Sequence, residues 1–455
     1  MIQNYSDVVV IGAGPSGLYA SKLLSDNKIK PLVISENIGG NYCRNGALLS
    51  NTLLYLSSIH ESFLRDCSRL FEKPLIEKLP NINMEKLRKY FDNVSNRYIK
   101  SNTNQLEKIS DYINGYAKFT SKNTLEVDLD GKKTEVKFRD AIIATGSKSI
   151  VFDSKPILKL MTTDNFFTLE KIPESVIIIG GGFVGCEFAS FFKRMGSDVL
   201  IIEKESRLLN DFEEQIVKKF QDNLIKNNIK LKLNAKVDHI DRVGNKGIIL
   251  FDNGDNAEAE EIFIAIGRKP NLSNIGLENL DIDFKDDIPT LDDNFLVNND
   301  NIYIIGDATG INMSVPFTTY SAEKAVFSML GKKLKINSYL YPRLINLSPD
   351  IASIGIDERE AIRLNIDYIV AKYTYSYLKR HVIESASTGL IKLIYSKSSK
   401  KLLGAHIFGR GCKEIISSLS IVMQFGIKID KLSHCFFNHP SYAEILRNLG
   451  QLIAS

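Results

Sequence analysis

The chain has few cysteines, five in 455 residues, and none stands in a Cys-x-x-Cys pair. The odd count and the spacings suit neither a disulfide framework nor a zinc site, and no metal is expected. Cys186, Cys412 and Cys435 lie in apolar or helix-like contexts and are expected to be buried, inert thiols. No apolar run reaches the roughly 20 residues that a membrane span needs. The 58 basic side chains are nearly balanced by 54 acidic ones, for a net charge of +4. There is no basic stripe to bind nucleic acid and no acidic tail. The chain starts almost directly on a strand pattern, without a charged-then-apolar leader, so the cytoplasm is the expected location. Its length suits about three domains.

What is present is a pair of glycine-rich turns, Gly12-Ala-Gly-Pro-Ser-Gly17 and Gly180-Gly-Gly-Phe-Val-Gly185, each after a β-branched run and before a helical pattern. Such a turn lets the backbone approach a pyrophosphate, which then sits on the helix N-terminus. In the first unit the strand is Asp7-Val-Val-Val-Ile-Gly12, the helix runs from Gly17 to Leu24, and Glu36 ends the next strand, Pro31 to Glu36. In the second, Val176-Ile-Ile-Ile-Gly180 leads into a helix through Glu187 to Phe192, and Asp198 to Glu203 ends on Glu203. An acidic residue about 20 positions beyond the glycines accepts hydrogen bonds from an adenosine ribose. One fingerprint alone often serves only a tight helix–strand contact, but two complete units point to two dinucleotides. Glu203 would repel a 2′-phosphate and favours NAD(H) over NADP(H); Lys204 beside it works the other way.

Two helical tracts follow the first unit, Leu48 to about Phe71 and Asn83 to Tyr98, with Lys73-Pro-Leu as the break between them. Short alternating strands come next, Tyr116–Phe119, Thr124–Leu129 and Thr134–Phe138, with a turn at Asp130-Gly131. A buried strand, Asp140 to Gly146, then leads out of the first domain. From Val176 to Arg268 the strand–helix pattern repeats and closes on Ile262 to Asn271. Asn301-Ile-Tyr-Ile-Ile-Gly-Asp307 is another buried strand, and it places Asp307 at a carboxyl end, where open α/β sheets bind ligands. From Tyr341 onward, strands at Ile351–Gly355, Gly389–Tyr395 and Leu402–Phe408 precede a helix from Cys412 to about Phe425, an α+β pattern.

Gly12–Gly17, Glu36, Ala144-Thr-Gly146, Gly180–Gly185, Ala265-Ile-Gly-Arg-Lys-Pro-Asn271, Ile305-Gly-Asp307 and His439-Pro-Ser-Tyr-Ala-Glu444 resemble, in order, the landmarks of the flavoprotein disulfide reductases, and within them the dihydrolipoamide dehydrogenases. The resemblance implies an α/β fold with two Rossmann-like dinucleotide-binding domains and a C-terminal α+β dimerisation domain. It implies a FAD domain over 1–148, a NAD domain over 149–270, a central segment over 271–337 that completes the FAD domain, and a C-terminal homodimerisation domain over 338–455. The FAD contacts it implies are Gly12, Gly14, Pro15, Ser16, Gly17, Glu36, Gly40, Asn41, Ala117, Thr145, Gly146, Asp307 and Thr318. Those for NAD are Gly180, Gly182, Phe183, Gly185, Glu203 and Gly267, with Phe183 as an aromatic gate over the flavin. His439 and Glu444 match the family's acid–base pair.

The sequence departs from the family at the redox centre. The family's Gly-Gly-Thr-Cys-Leu-Asn-Val-Gly-Cys-Ile-Pro-Ser-Lys aligns without gaps to Gly39-Gly-Asn-Tyr-Cys-Arg-Asn-Gly-Ala-Leu-Leu-Ser-Asn51. Tyr42 and Ala47 replace the two cysteines, and Asn51 replaces the lysine that pairs with a glutamate beside the flavin, here Glu187. Thiol–disulfide exchange needs a thiolate and a resolving partner. Cys43 is one residue from the first cysteine position, and a one-residue helical step turns a side chain by about 100°, away from the flavin. The leading expectation is an enzyme that passes electrons from NADH through FAD to a small-molecule or protein acceptor other than a disulfide. A reductase working on Cys43 alone, and a non-catalytic flavoprotein scaffold, are the alternatives. His439 either keeps a proton-transfer role or remains as an interface side chain held by Glu444. The other histidines, at 60, 239, 381, 406 and 434, are expected to be surface or packing residues.

Overall fold

A computed structural model describes residues 5–71, 82–129, 131–152, 160–298, 301–334, 340–385 and 388–454. The expected break at Lys73-Pro-Leu, and Asp130 of the expected turn, lie outside the described residues. Four β-branched residues in a row, Val8 to Ile11, make the centre of the first strand a buried one. β1 (Tyr5–Ala13) pairs in parallel with β2 (Leu32–Ile38) on one side, and β2 with β3 (Asp111–Ile113). On its other side β1 pairs in parallel with β6 (Lys132–Ile143), which is followed by β5 (Thr124–Leu129) and β4 (Tyr116–Ser121) in antiparallel order. The strand Ile302–Ile304 returns to this sheet beside β6, pairing Ile304 with Ile143. Thr134–Phe138 and the Asp140 strand therefore form one continuous strand. No residue between them breaks the alternation, so its first half runs out as a hairpin and its second half enters the core.

Helix α1 (Pro15–Asp26) follows the first glycine turn. The short α2 (Gly40–Arg44) leads into α3 (Ala47–Leu70), and α4 (Met84–Ile109) runs eleven residues beyond the expected end at Tyr98. Its last three turns are mostly polar, with Leu106 buried among them, and no glycine or proline stops it before Ser110.

The second unit is a four-stranded parallel sheet in the order Ile229–Lys232, Asp198–Ile202, Ser175–Ile179 and Glu261–Ile264, served by α5 (Phe183–Arg194) and α6 (Glu214–Lys226). A three-stranded antiparallel sheet over Val237–Ala259 is inserted in it. Phe188 of α5 stacks on Phe263 with ring centroids 4.4 Å apart, and Phe166, Phe191 and Phe192 close around them. This aromatic cluster is continuous with Leu49 and Leu53 of α3 and so joins the two nucleotide units.

After α7 (Val315–Met329) the chain builds a five-stranded antiparallel sheet in the order Arg343–Ile345, Ile351–Gly355, Leu402–Phe408, Leu390–Ser396 and Tyr368–Thr374. The short helices α8 (Glu358–Arg363) and α9 (Lys379–Ile383) flank it. α10 (Cys412–Gln424) and α11 (Glu444–Ala454) cover one face through Ile415, Leu419, Ile445 and Leu449. Among the described residues no helix is long and apolar enough to cross a membrane.

Candidate active site

The two glycine turns are built alike. A Cβ at Gly12 (φ +106°) would lie 2.4 Å from the Ala144 carbonyl oxygen, and one at Gly180 (φ +107°) 2.3 Å from that of Ala265. Gly17 and Gly185 press as closely on the carbonyls of Gly12 and Gly180, which is the tight helix–strand packing the turn needs. Gly14 and Gly182, the residues just before α1 and α5, face open space instead. Neither helix has a side-chain cap or an acidic residue in its first turn, whereas α6 is capped by Glu213 and α7 by Ser314. Two uncapped N-termini opening into free space suit two pyrophosphates.

Around the first turn the chain gathers residues from distant segments. Gly306 (φ +63°) lies so close to Ser16 that a Cβ would come within 2.6 Å of its Oγ and 3.7 Å of Thr318 Oγ1. Asp307 follows, accepting a hydrogen bond from Ser147 Oγ at 2.7 Å. Burial pushes the Asp307 carboxyl up, against the pull of Ser147 and Arg268. Gly40 packs on Gly14, Asn41 Nδ2 donates to the Ser147 carbonyl at 2.8 Å, and Pro15 opens α1. Thr145 Oγ1 is buried without a partner, and a Cβ at its neighbour Gly146 would meet nothing. An orphaned hydroxyl beside open space, an acceptor carboxylate and an anion-ready helix end together fit the ribityl and diphosphate groups of FAD. Glu36 is exposed at the end of β2, near the Tyr116 phenol. The side chain of Ala117 is buried in the sheet core.

Around the second turn, Glu203 is anchored through Oε2 to the Gly181 N–H at 2.6 Å and through Oε1 to the Glu205 N–H at 3.0 Å. It therefore presents a fixed carboxylate at the end of its strand. Phe183 is 45 % exposed at the first position of α5. Gly267 (φ +122°) precedes Arg268, whose guanidinium donates to Ser147 Oγ, Ser149 Oγ and the Ser147 carbonyl and lies 3.8 Å from Asp164. Arg268 was legible only as part of the Ala265–Asn271 landmark. Asp164, which also accepts from Asn45 at 2.9 Å, carries no sequence signal.

Between the two turns, Cys43 is fully buried, with Sγ 3.4 Å from the Gly40 carbonyl and 3.8 Å from that of Ile38. Burial pushes its thiol up. Tyr42 packs on Tyr98 with ring centroids 5.2 Å apart; burial raises both phenols, that of Tyr98 to about 12. Asn51 is exposed and folds back onto the Ala47 carbonyl at 2.6 Å. Glu187 is buried, accepts from the Asn346 N–H at 3.1 Å and shares a small cavity with the Ser50 side chain. Its carboxyl is pushed up to about 7 by burial.

His439 Nδ1 lies 2.8 Å from Glu444 Oε1, and the Ser441 N–H holds Oε2 at 3.0 Å. The imidazole is largely exposed. The thiol expected to be buried at Cys435 is instead exposed, because the short helix before it ends at the surface; Cys186 and Cys412 are buried as expected. His406 is a core residue, bonded to Ser353 and the Ile356 carbonyl, and burial lowers it to about 4. Among the described residues no cluster of ligating side chains could hold a metal ion.

The chain is 28 % identical over 450 residues to a dihydrolipoyl dehydrogenase of Buchnera aphidicola, covering 96 % of this chain and 94 % of that one. Its fold matches that of LpdA from Mycobacterium tuberculosis with a TM-score of 0.90 at 18 % identity, over 98 % and 99 % of the two chains. It also matches a Cu(II) complex of the HOCl-induced flavoprotein disulfide reductase RclA from Escherichia coli, with a TM-score of 0.85 at 23 % identity over 99 % and 100 %. Residues 6–325 match the model of the pyridine nucleotide-disulphide oxidoreductases, and residues 341–449 match the dimerisation domain of the same proteins. The chain belongs to the pyridine nucleotide-disulphide oxidoreductase family, an enzyme class that works with FAD and NAD(H).

Proposed function

We propose that this protein takes hydride from NADH onto FAD and delivers the electrons to an acceptor that is not a disulfide, such as a quinone, oxygen, a metal ion or a protein carrier. The observation that carries the reading is the segment Asn41–Asn51, where Tyr42, Ala47 and Asn51 take the places of the family's two cysteines and its lysine. The remaining thiol, Cys43, is turned into the protein interior. A buried thiol whose ionisation is suppressed is a poor nucleophile, so the geometry disfavours a reductase working on Cys43 alone.

Bound FAD supplies the two-electron chemistry; the chain positions it and controls access. In this reading residues 1–148 and 271–337 hold FAD, 149–270 hold NAD, and 338–455 pair two copies. The N-terminus of α1 takes the FAD diphosphate, with Glu36 on the adenosine ribose and Asp307 on the ribityl chain. The N-terminus of α5 takes that of NADH, with Glu203 on its ribose. Phe183, exposed at the start of α5, would shield a bound flavin ring from water. His439, oriented by Glu444 through Nδ1, holds or gives a proton at Nε2 for an acceptor lying across the dimer.

An acceptor screen tests this. The purified, FAD-loaded protein with NADH should reduce quinones or dyes and should turn over dihydrolipoamide with NAD negligibly. Robust dihydrolipoamide oxidation that disappears in Cys43→Ser would instead establish the single-cysteine reductase.

A further inference from the structure

The two nucleotide turns are bridged by three helices. α2 starts at Gly40, which rests on Gly14, and α3 follows it at once; Ser50 in the first turn of α3 lines the same small cavity as Glu187, one turn into α5. Hydride transfer requires the reactive rings of both nucleotides to lie against each other. On the proposed assignment they meet along this bridge, where Glu187 is the buried carboxylate.

Glu187 is 5 % exposed, and among the described residues it makes no ion pair. From α3 it faces the neutral Ser50, while Asn51 is turned to the Ala47 carbonyl. From the loop between the first two strands of the C-terminal sheet comes the Asn346 N–H; Asp350, whose carboxyl burial pushes up, closes the same loop. α10 contributes Lys413, which attracts Glu187 from a distance but lies 3.6 Å from Asp350, and the buried thiol Cys412. On α5 itself, burial keeps Cys186 a neutral thiol, and Arg194 is paired with Glu61 at 3.1 Å. A lysine at position 51 would balance the glutamate with a fixed positive charge. Asparagine leaves a carboxylate with no paired cation among the described residues, which a proton can neutralise.

We infer that Glu187 is a redox-linked proton carrier, taking one proton from solvent when the adjoining flavin ring gains two electrons and releasing it when those electrons leave. An O–H bond forms at one carboxyl oxygen and the proton comes from water. Both electrons arrive with the hydride of NADH, remain on the flavin and pass to the acceptor, so the carboxyl is neither oxidised nor reduced. The physical cause is repulsion: negative charge added to the ring beside a buried carboxylate is costly at low dielectric, and protonation removes it. The carboxyl already titrates near neutrality, at about 7, so a modest additional repulsion suffices. The inference rests on the FAD and NADH reading above.

The test is the midpoint potential of the FAD-loaded protein measured against pH, above about pH 7, where the glutamate is ionised before reduction. The native chain should show a slope of two protons per two electrons. Glu187→Gln should show one, and so should Asn51→Lys, which keeps the glutamate ionised with a neighbouring charge. Reduction of the native protein should also bring up an infrared carbonyl band of a protonated carboxyl that Glu187→Gln lacks. A one-proton slope in the native chain, or two protons retained in Asn51→Lys, overturns the inference while leaving the flavin reading intact. A protein that takes up no FAD overturns both.

Discussion

Lys392 Nζ lies 2.6 Å from Glu213 Oε1, with both side chains shut off from water, and so ties the C-terminal sheet to the residue that caps α6. Lys392 also contacts Glu358, and Arg359 donates to the carbonyls of Asn210 and Phe212 in the same loop. That loop begins at Glu203 and passes its Leu209 N–H to the Gly181 carbonyl at 3.0 Å. The C-terminal domain therefore braces the loop that packs against the second glycine turn.

Removing one partner of this pair leaves a buried charge alone. Lys392→Met should cost about 3–5 kcal/mol in denaturant unfolding. The sign of the pH dependence is a second check. Burial alone would raise Glu213, but the Lys392 hydrogen bond and the Ile216 N–H hold it below the usual carboxylate range. Its stabilisation is present above that range and is lost as pH falls through the lowered value. Lys392 is held above its ordinary range despite burial, so its share is present below that range and lost only as pH rises through the raised value. Native stability from the pair should be flat from about pH 5 to 10. In Lys392→Met the orphaned glutamate should gain from protonation, and the variant should become more stable on mild acidification.

Phe188→Ala should destabilise the fold by about 3–5 kcal/mol, since it empties the centre of the aromatic cluster between α5 and its sheet. Thermal unfolding checks this. Loss of flavin retention should accompany it, because the same cluster includes α3 residues.

Coenzyme choice follows from the anchored Glu203. A 2′-phosphate brought against that carboxylate should cost at least ~1.4 kcal/mol, so NADH should reduce the flavin at least tenfold more efficiently than NADPH. Glu203→Ser should narrow the gap, read as kcat/KM for each coenzyme. Equal efficiencies in the native protein would refute the assignment.

Thiol accessibility separates the cysteines. Cys43, Cys186 and Cys412 are buried, and burial raises all three. A brief alkylation of the native protein should leave them unmodified by peptide mass mapping, and denaturation should expose them. Rapid labelling of Cys43 in the folded state would show that it is accessible for catalysis.

Much of this architecture was readable because the signals are local. Glycines followed by a helix pattern and an acidic strand end located Gly12, Glu36, Gly180 and Glu203, and the strand ending at Asp307 stood out by its apolar run. The continuous β6 and the full length of α4 were misread, since hydrophobic periodicity weakens where a strand leaves the core or a helix lies at the surface. The contacts of Ser147, Asp164, Arg268 and Asn346 were invisible for another reason. They arise from chain segments more than a hundred residues apart, as in the 2.7 Å bond between Ser147 and Asp307. Helical geometry was expected to turn Cys43 away from the flavin; the structure adds that it is buried in α2, with its Sγ against the Gly40 carbonyl.

The most direct test of the proposed loss of the dithiol is an anaerobic titration of the FAD-loaded protein with NADH, followed by its visible spectrum. If no sulfur faces the flavin, as proposed, one equivalent of NADH should bleach the flavin band completely, and no long-wavelength band between a thiolate and oxidised flavin should appear. A flavin that stays oxidised after two electrons while such a band grows in would contradict the account.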